Sequence, residues 1–175
     1  MLLGVEFQSH PRSGVNWNNY ITKCVKKAYS NIWILKRLAE MGVRIEDLLM
    51  TYESRIRIHV EQNVALWHFS ISGQLSKMIE KVQKISTYII LGKHASVDYH
   101  FNLATLNLEP LYDRREKLSI TFAKKVIKHP VHKNMFTWNE GRKTREGRKV
   151  IVPHAKTKRY ERSSVPSLAR IINSL

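Results

Sequence analysis

Residues 60–92 read VEQNVALWHFSISGQLSKMIEKVQKISTYIILG, and the second half of that stretch decides the fold class. Leu75, Ile79, Val82, Ile85 and Ile89 recur at steps of four and three, the repeat of one buried face of an α-helix. Ser72 stands where a side-chain oxygen can accept from an orphan amide of the first turn, and Gly92 where a helix commonly stops. Lys77, Glu80, Lys81 and Lys84 are expected on the wet side, with Glu80 and Lys84 ordered for an i,i+4 pair worth roughly 0.3 kcal/mol.

The same period extends in both directions. Upstream, Ile21, Val25, Ala28, Ile32, Leu35 and Ala39 form the stripe of a helix that opens near Trp17, with Asn16 able to cap it and Gly42 to end it. A second helix from about Arg44 into the fifties brings Ile45, Leu48, Leu49, Tyr52 and Ile56 into register, before β-branched and polar residues interrupt the pattern towards Trp67. Downstream, residues 99–106 suit a short helix, and Pro110 opens another over 111–128 that stops before Pro130. Residues 2–7 have strand length, and 8–14, with Pro11, read as a loop. Residues 139–163 are polar and basic apart from Val150-Ile151-Val152, an extended arm with room for one short strand. Ser163 or Ser164 with Pro166 then starts a last amphipathic helix to Ser174 that offers Leu168, Ile171 and Ile172 to the body. The expectation is a mainly α chain: a helical bundle with an extended basic C-terminal arm and a short terminal helix, divided as 1–16, 17–70, 71–138 and 139–175.

Charge speaks to partners. The formal net charge is +16, from 30 basic and 14 acidic residues, and it is uneven. Residues 1–123 carry 16 basic and 11 acidic side chains, whereas 124–175 carry 14 and 3. An excess of this size points to polyanions first. Lys23, Lys26, Lys27 and Arg37 fall opposite the first helix's apolar stripe, either as a phosphate-tracking face or as an ordinary solvated one. Arg142, Lys143, Arg145, Arg148 and Lys149 place five cations in eight positions with no apolar anchor, a block that suits sequence-independent contact with nucleic acid. No base-reading helix is evident, so sequence specificity is not expected.

Other classes are excluded or weakened. Cys24 is the only cysteine, so neither an intramolecular disulfide nor a zinc knuckle can form, and it reads as a small buried hydrophobe. No apolar run is long enough to span a bilayer, and Glu6 follows residues 1–5 without a basic n-region, so no membrane or secretory role is expected. An intracellular location, nuclear or cytoplasmic, follows. His129 and His132 flank Pro130-Val131 with no acidic or thiol neighbour, a poor metal set. Tyr20, Tyr29, Trp33, Trp67 and Tyr88 are expected chiefly to pack, with base stacking as the other reading. Arg115 falls on the apolar stripe of its helix and should be paired by Glu61 or Glu80.

The order of motifs resembles one family. Trp67-His68 stands ahead of Glu80-Lys81-Val82-Gln83-Lys84 and Ile89-Ile90-Leu91-Gly92. Before them come Leu2-Leu3-Gly4-Val5, Trp17 with Asn19-Tyr20-Ile21, Lys27-Ala28, and Tyr52, Ser54 and Ile56. After them come Leu106, Leu108 and Leu111, Arg114-Arg115, Phe122-Ala123-Lys124-Lys125, His154-Ala155 with Arg159-Tyr160, and Ser164-Val165-Pro166. This succession is similar to the region downstream of the palm in reverse transcriptases of non-long-terminal-repeat retrotransposons, the jockey-like group of RNA-directed DNA polymerases. The resemblance implies a thumb and post-thumb region whose helices lie along a template–primer duplex. It also implies that fingers, palm and catalytic aspartates belong ahead of Met1, since no Tyr-x-Asp-Asp or Phe-x-Asp-Asp turn is present. Magnesium would serve only the intact polymerase, through paired carboxylates that this chain does not supply. The expectation is therefore a non-catalytic module that binds RNA, DNA or their hybrid, with the polymerase palm as a further partner. The alternative is a structural or protein-interaction helical domain.

Overall fold

The computed structural model describes residues 8–10, 14–139 and 149–175, and these are mainly α-helical. Two three-residue strands pair: β1 (Gln8–His10), inside the stretch 8–14 expected to be a loop, and β2 (Gly14–Asn16), which starts at its last residue. The strand-length segment 2–7 lies outside the described residues.

The chain divides into two units. The first comprises residues 1–8, 16–62 and 71–114. Its long helix α1 (Asn18–Glu40) packs on α5 (Gly73–Leu91). Between them in sequence come α2 (Ile45–Thr51), a π-helical turn (Tyr52–Arg57) and α3 (Ile58–Glu61), which run on without a break. The π turn has a sequence cause. Leu48, Tyr52, Ile56 and Val60 are spaced strictly by four and all are 2% exposed or less. In a regular helix each such step drifts about 40° off the face. A wider turn cancels the drift and keeps all four inside. Asn63, in the left-handed region at φ 56°, breaks the helix where the sequence pattern fades.

Helix α1 ends as its glycine requires. Gly42 has φ 75°, its amide donates to the Ala39 carbonyl, and the Val43 amide reaches back to Leu38. Together these close a Schellman motif. Ser72 caps α5, its hydroxyl oxygen accepting from the Leu75 amide at 3.3 Å. The buried face of α5 turns part-way round: Leu75, Ile79 and Val82 are buried, but Gln83, Ser86, Thr87, Ile90 and Leu91 take the core in place of half-buried Ile85 and Ile89. Ser86 and Thr87 satisfy their hydroxyls on the Val82 and Lys84 carbonyls, so small polar residues sit in the core at little cost. Ile45, placed in register by the sequence, is 41% exposed.

Glu80 departs from the wet side assigned to it. Its Oε1 accepts from the Tyr99 hydroxyl at 2.6 Å and from the Leu111 amide at 3.1 Å. This ties α5 to α6 (Tyr99–Thr105) and to the start of α7 (Leu111–Lys128). Nearby, the Tyr52 hydroxyl donates to Gln83 Oε1 at 2.6 Å, and Gln83 Nε2 donates to the Glu109 carbonyl.

The second unit comprises residues 9–15, 63–70 and 115–175. It holds α4 (Val64–Trp67), the rest of α7, α8 (Pro130–Lys133), α9 (Lys158–Glu161) and α10 (Ser164–Ser174). Its core joins Ala123, Val126, Phe136, Val150, Leu168, Ala169 and Ile172. The apolar trio at 150–152 forms a single antiparallel bridge, Trp138 to Val150. Asn173 completes it: its Oδ1 accepts from the Val150 amide and its Nδ2 donates to the Val150 carbonyl, both at 2.9 Å. One side chain on α10 thus stands in for a neighbouring strand.

Candidate nucleic-acid interface

Helix α1 supplies the clearest surface. Its inner stripe is apolar, with Ala28 and Leu35 fully buried. Its outer face carries Lys23, Lys26, Lys27, Lys36 and Arg37, all exposed. From Lys23 to Arg37 the face runs roughly 21 Å at about 1.5 Å per residue. Glu40 is the one acidic residue of the helix, and it is engaged by Arg37 at 3.0 Å and Lys36 at 3.9 Å. No carboxylate meets Lys26 or Lys27 among the described residues. All four cations that the sequence marked on this helix therefore share one solvent-facing side.

Trp33 was expected to pack beside Ile32 and Leu35; it does not. The indole is 63% exposed, and the Arg37 guanidinium lies 5.6 Å from its ring centroid. Tyr29, one turn back, is 36% exposed. The helical angle explains the outcome, since at about 100° per residue Lys26, Trp33 and Arg37 fall within roughly 40° of each other. Tyr20 and Trp67 are buried as the packing reading required, and Tyr88 is half-buried with its hydroxyl on the Val97 carbonyl.

The basic block gives less. Arg142, Lys143, Arg145 and Arg148 lie outside the described residues, while Lys149 is exposed beside buried Val150. Sequence reasoning passed over Lys124, Lys125 and Lys128, all exposed on the last turns of α7, and Lys133, whose Nζ sits 5.1 Å from the Trp138 ring centroid. The i,i+4 spacing of Lys124 and Lys128 and the i,i+3 spacing of Lys125 and Lys128 were the available signal. Lys125 and Lys128 also complement the negative end of the helix dipole, which accounts for them without a ligand.

Burial pushes the Cys24 thiol up, which suits a packed side chain better than a nucleophile. The His129 and His132 rings lie 4.7 Å apart, and among the described residues no three His, Cys, Asp or Glu side chains gather to hold an ion. Arg115 is fully buried. Glu61 pairs with Arg57 and with Arg114, and Glu80 holds Tyr99 and the Leu111 amide. The Arg115 guanidinium lies 5.6 Å from the Trp67 ring centroid. Burial, and then the charge of Arg115, lower His68 to a pKa of about 4. Among the described residues no helix is long and apolar enough to cross a membrane. No protein-family model, curated protein or solved structure matches this chain.

Proposed function

We propose that this chain is a thumb and post-thumb module of a non-long-terminal-repeat retrotransposon reverse transcriptase, without catalysis of its own, that grips the backbone of RNA, DNA or their hybrid through charge. The observation that carries the reading is the outer face of α1, with five exposed cations against one acidic residue already engaged. Each lysine set on a phosphate releases condensed counterions, so such a face binds without reading sequence. The ordered motifs from Trp17 to Pro166 support the family assignment, and the helical build agrees with a thumb. On this reading the protein acts in the nucleus or cytoplasm, meets nucleic acid and the polymerase palm, and needs no cofactor in this chain.

The test is titration of labelled duplex DNA and RNA–DNA hybrid at about 50 mM and about 200 mM salt. Micromolar affinity that falls steeply with salt is expected, and Lys26→Ala with Lys27→Ala should flatten the log–log slope by about two. Affinity indifferent to salt, or none at the lower concentration, would leave the structural, protein-docking alternative. Exposed Met41, Ile45 and Met50 would then be the first surface to probe. Nucleotide incorporation by the chain in a primer-extension assay would overturn the non-catalytic assignment.

A further inference from the structure

A solvated cationic helix needs no tryptophan. An indole left 63% exposed forgoes the burial that large aromatic side chains normally find. Trp33 is also not isolated. The Arg37 guanidinium lies over its ring, and Glu40 Oε2 accepts from Arg37 Nη1 at 3.0 Å, which holds that guanidinium in place. Lys26 lies on the same line two turns towards the N-terminus, with Tyr29 beside it. Aromatic faces interleaved with cations are the means by which proteins take unpaired nucleotides: rings receive bases and ammonium groups receive phosphates. Phosphates of an uninterrupted duplex can meet the lysines, but its bases are already stacked and offer Trp33 nothing.

Resting on the function proposed above, we infer that Trp33, backed by Arg37, is a stacking platform for an unpaired base, so that α1 prefers single-stranded ends or loops to continuous duplex. The face is long enough for roughly six nucleotides at about 3.4 Å each. An anionic membrane is the other polyanion a cationic, aromatic face could meet. It is disfavoured because the opposite side of α1 is committed to the core, leaving only Trp33 and part of Tyr29 to enter lipid.

The experiment compares the intact chain with Trp33→Ala, Trp33→Phe and the Lys26→Ala, Lys27→Ala pair. The probes are oligo(dT) and a blunt duplex of equal phosphate number, at one low salt concentration. Wild type should favour oligo(dT) and lose tryptophan emission on binding it. Trp33→Ala should weaken oligo(dT) about tenfold and spare the duplex, and Trp33→Phe should restore most of the loss. The lysine pair should weaken both probes together. If Trp33→Ala leaves the ratio of the two affinities unchanged while the lysine pair lowers both, the stacking inference is overturned and the charge-based reading stands. If wild type binds neither probe, both are overturned. Binding to phosphatidylserine vesicles with a blue-shifted emission, and no preference for oligo(dT), would assign the face to lipid and also sink the inference.

Discussion

In the unit built on α1 and α5, buried polar side chains link one helix to the next. Tyr52 donates to Gln83, Gln83 to the Glu109 carbonyl, and Tyr99 to Glu80, while Glu61 sits between Arg57 and Arg114. In the unit built on α7 and α10, the core is small and apolar, and its buried ionisable groups are His68, set against Phe69, and Arg115, set against Trp67. The first arrangement stores neutral phenols and the second a neutral imidazole beside a buried cation. The difference teaches that one chain can hold two cores with opposite acid–base weaknesses, each set by which titratable group was taken out of water.

The severest way to break this contrast is Trp67→Ala. The indole is 1% exposed and provides the face over which Arg115 lies. Removing it leaves a cavity and takes away the ring face beside the guanidinium, at a cost of about 3–5 kcal/mol. Hydrogen exchange should show amides of α10 losing protection while those of α5 keep theirs. Equal loss in both helices would show that the two units unfold as one and that the contrast has no energetic meaning.

A pH series sharpens it with a smaller effect. His68 titrates near 6.5 when unfolded and at about 4 when folded, so the unfolded chain binds the extra proton between those values. Stability from this group is complete above about pH 6.5 and falls as pH drops to 4, costing about 3 kcal/mol by the full shift and on the order of 2 kcal/mol once solvent screening is discounted, with little further loss below. His68→Leu should flatten that limb in the thermal melting profile. Tyr52 and Tyr99 run the other way. Burial raises both, and at Tyr99 the bonded Glu80 carboxylate adds to the shift. Their contribution is complete below about pH 10, the unfolded value, and is lost as pH rises beyond it. Tyr52→Phe should blunt the alkaline loss and leave the acid limb untouched.

Much of this fold could be read from periodicity, because helical repeats are local. Gly42 stops α1, Ser72 caps α5, and α7 runs to Lys128 ahead of Pro130, as their patterns required. What escaped was set by partners far along the chain. Glu80 turned inward for a tyrosine 19 residues away and an amide 31 away, which no i,i+4 rule can see. Arg114, which the periodicity left unassigned, pairs with Glu61 from 53 residues away. The strict four-residue spacing from Leu48 to Val60 did carry the π turn, but only if its drift is followed step by step. On the candidate interface, the lysines were legible from charge. Trp33 escapes the packing expected of it because its helical angle is that of Lys26 and Arg37, not that of Ile32 and Leu35.

The mildest prediction concerns a residue with no packing role. A Cβ at Gly42 would meet nothing within 4 Å, so Gly42→Ala tests backbone conformation alone. At φ 75° an L-residue costs about 1–2 kcal/mol, against roughly 0.5–1 kcal/mol regained from the stiffer unfolded chain. A net loss near 1 kcal/mol is expected by denaturant titration, with the slope unchanged. Asn tolerates the left-handed region better than Ala, and this unit already holds Asn107 there at φ 52°. Gly42→Asn should therefore cost less than Gly42→Ala. If the two cost the same, the Schellman closure at Val43 and Leu38 is not what sets the end of α1. Frayed exchange at 38–41 in the alanine variant, with α10 unaffected, would confine the cost to the unit that carries the cationic face.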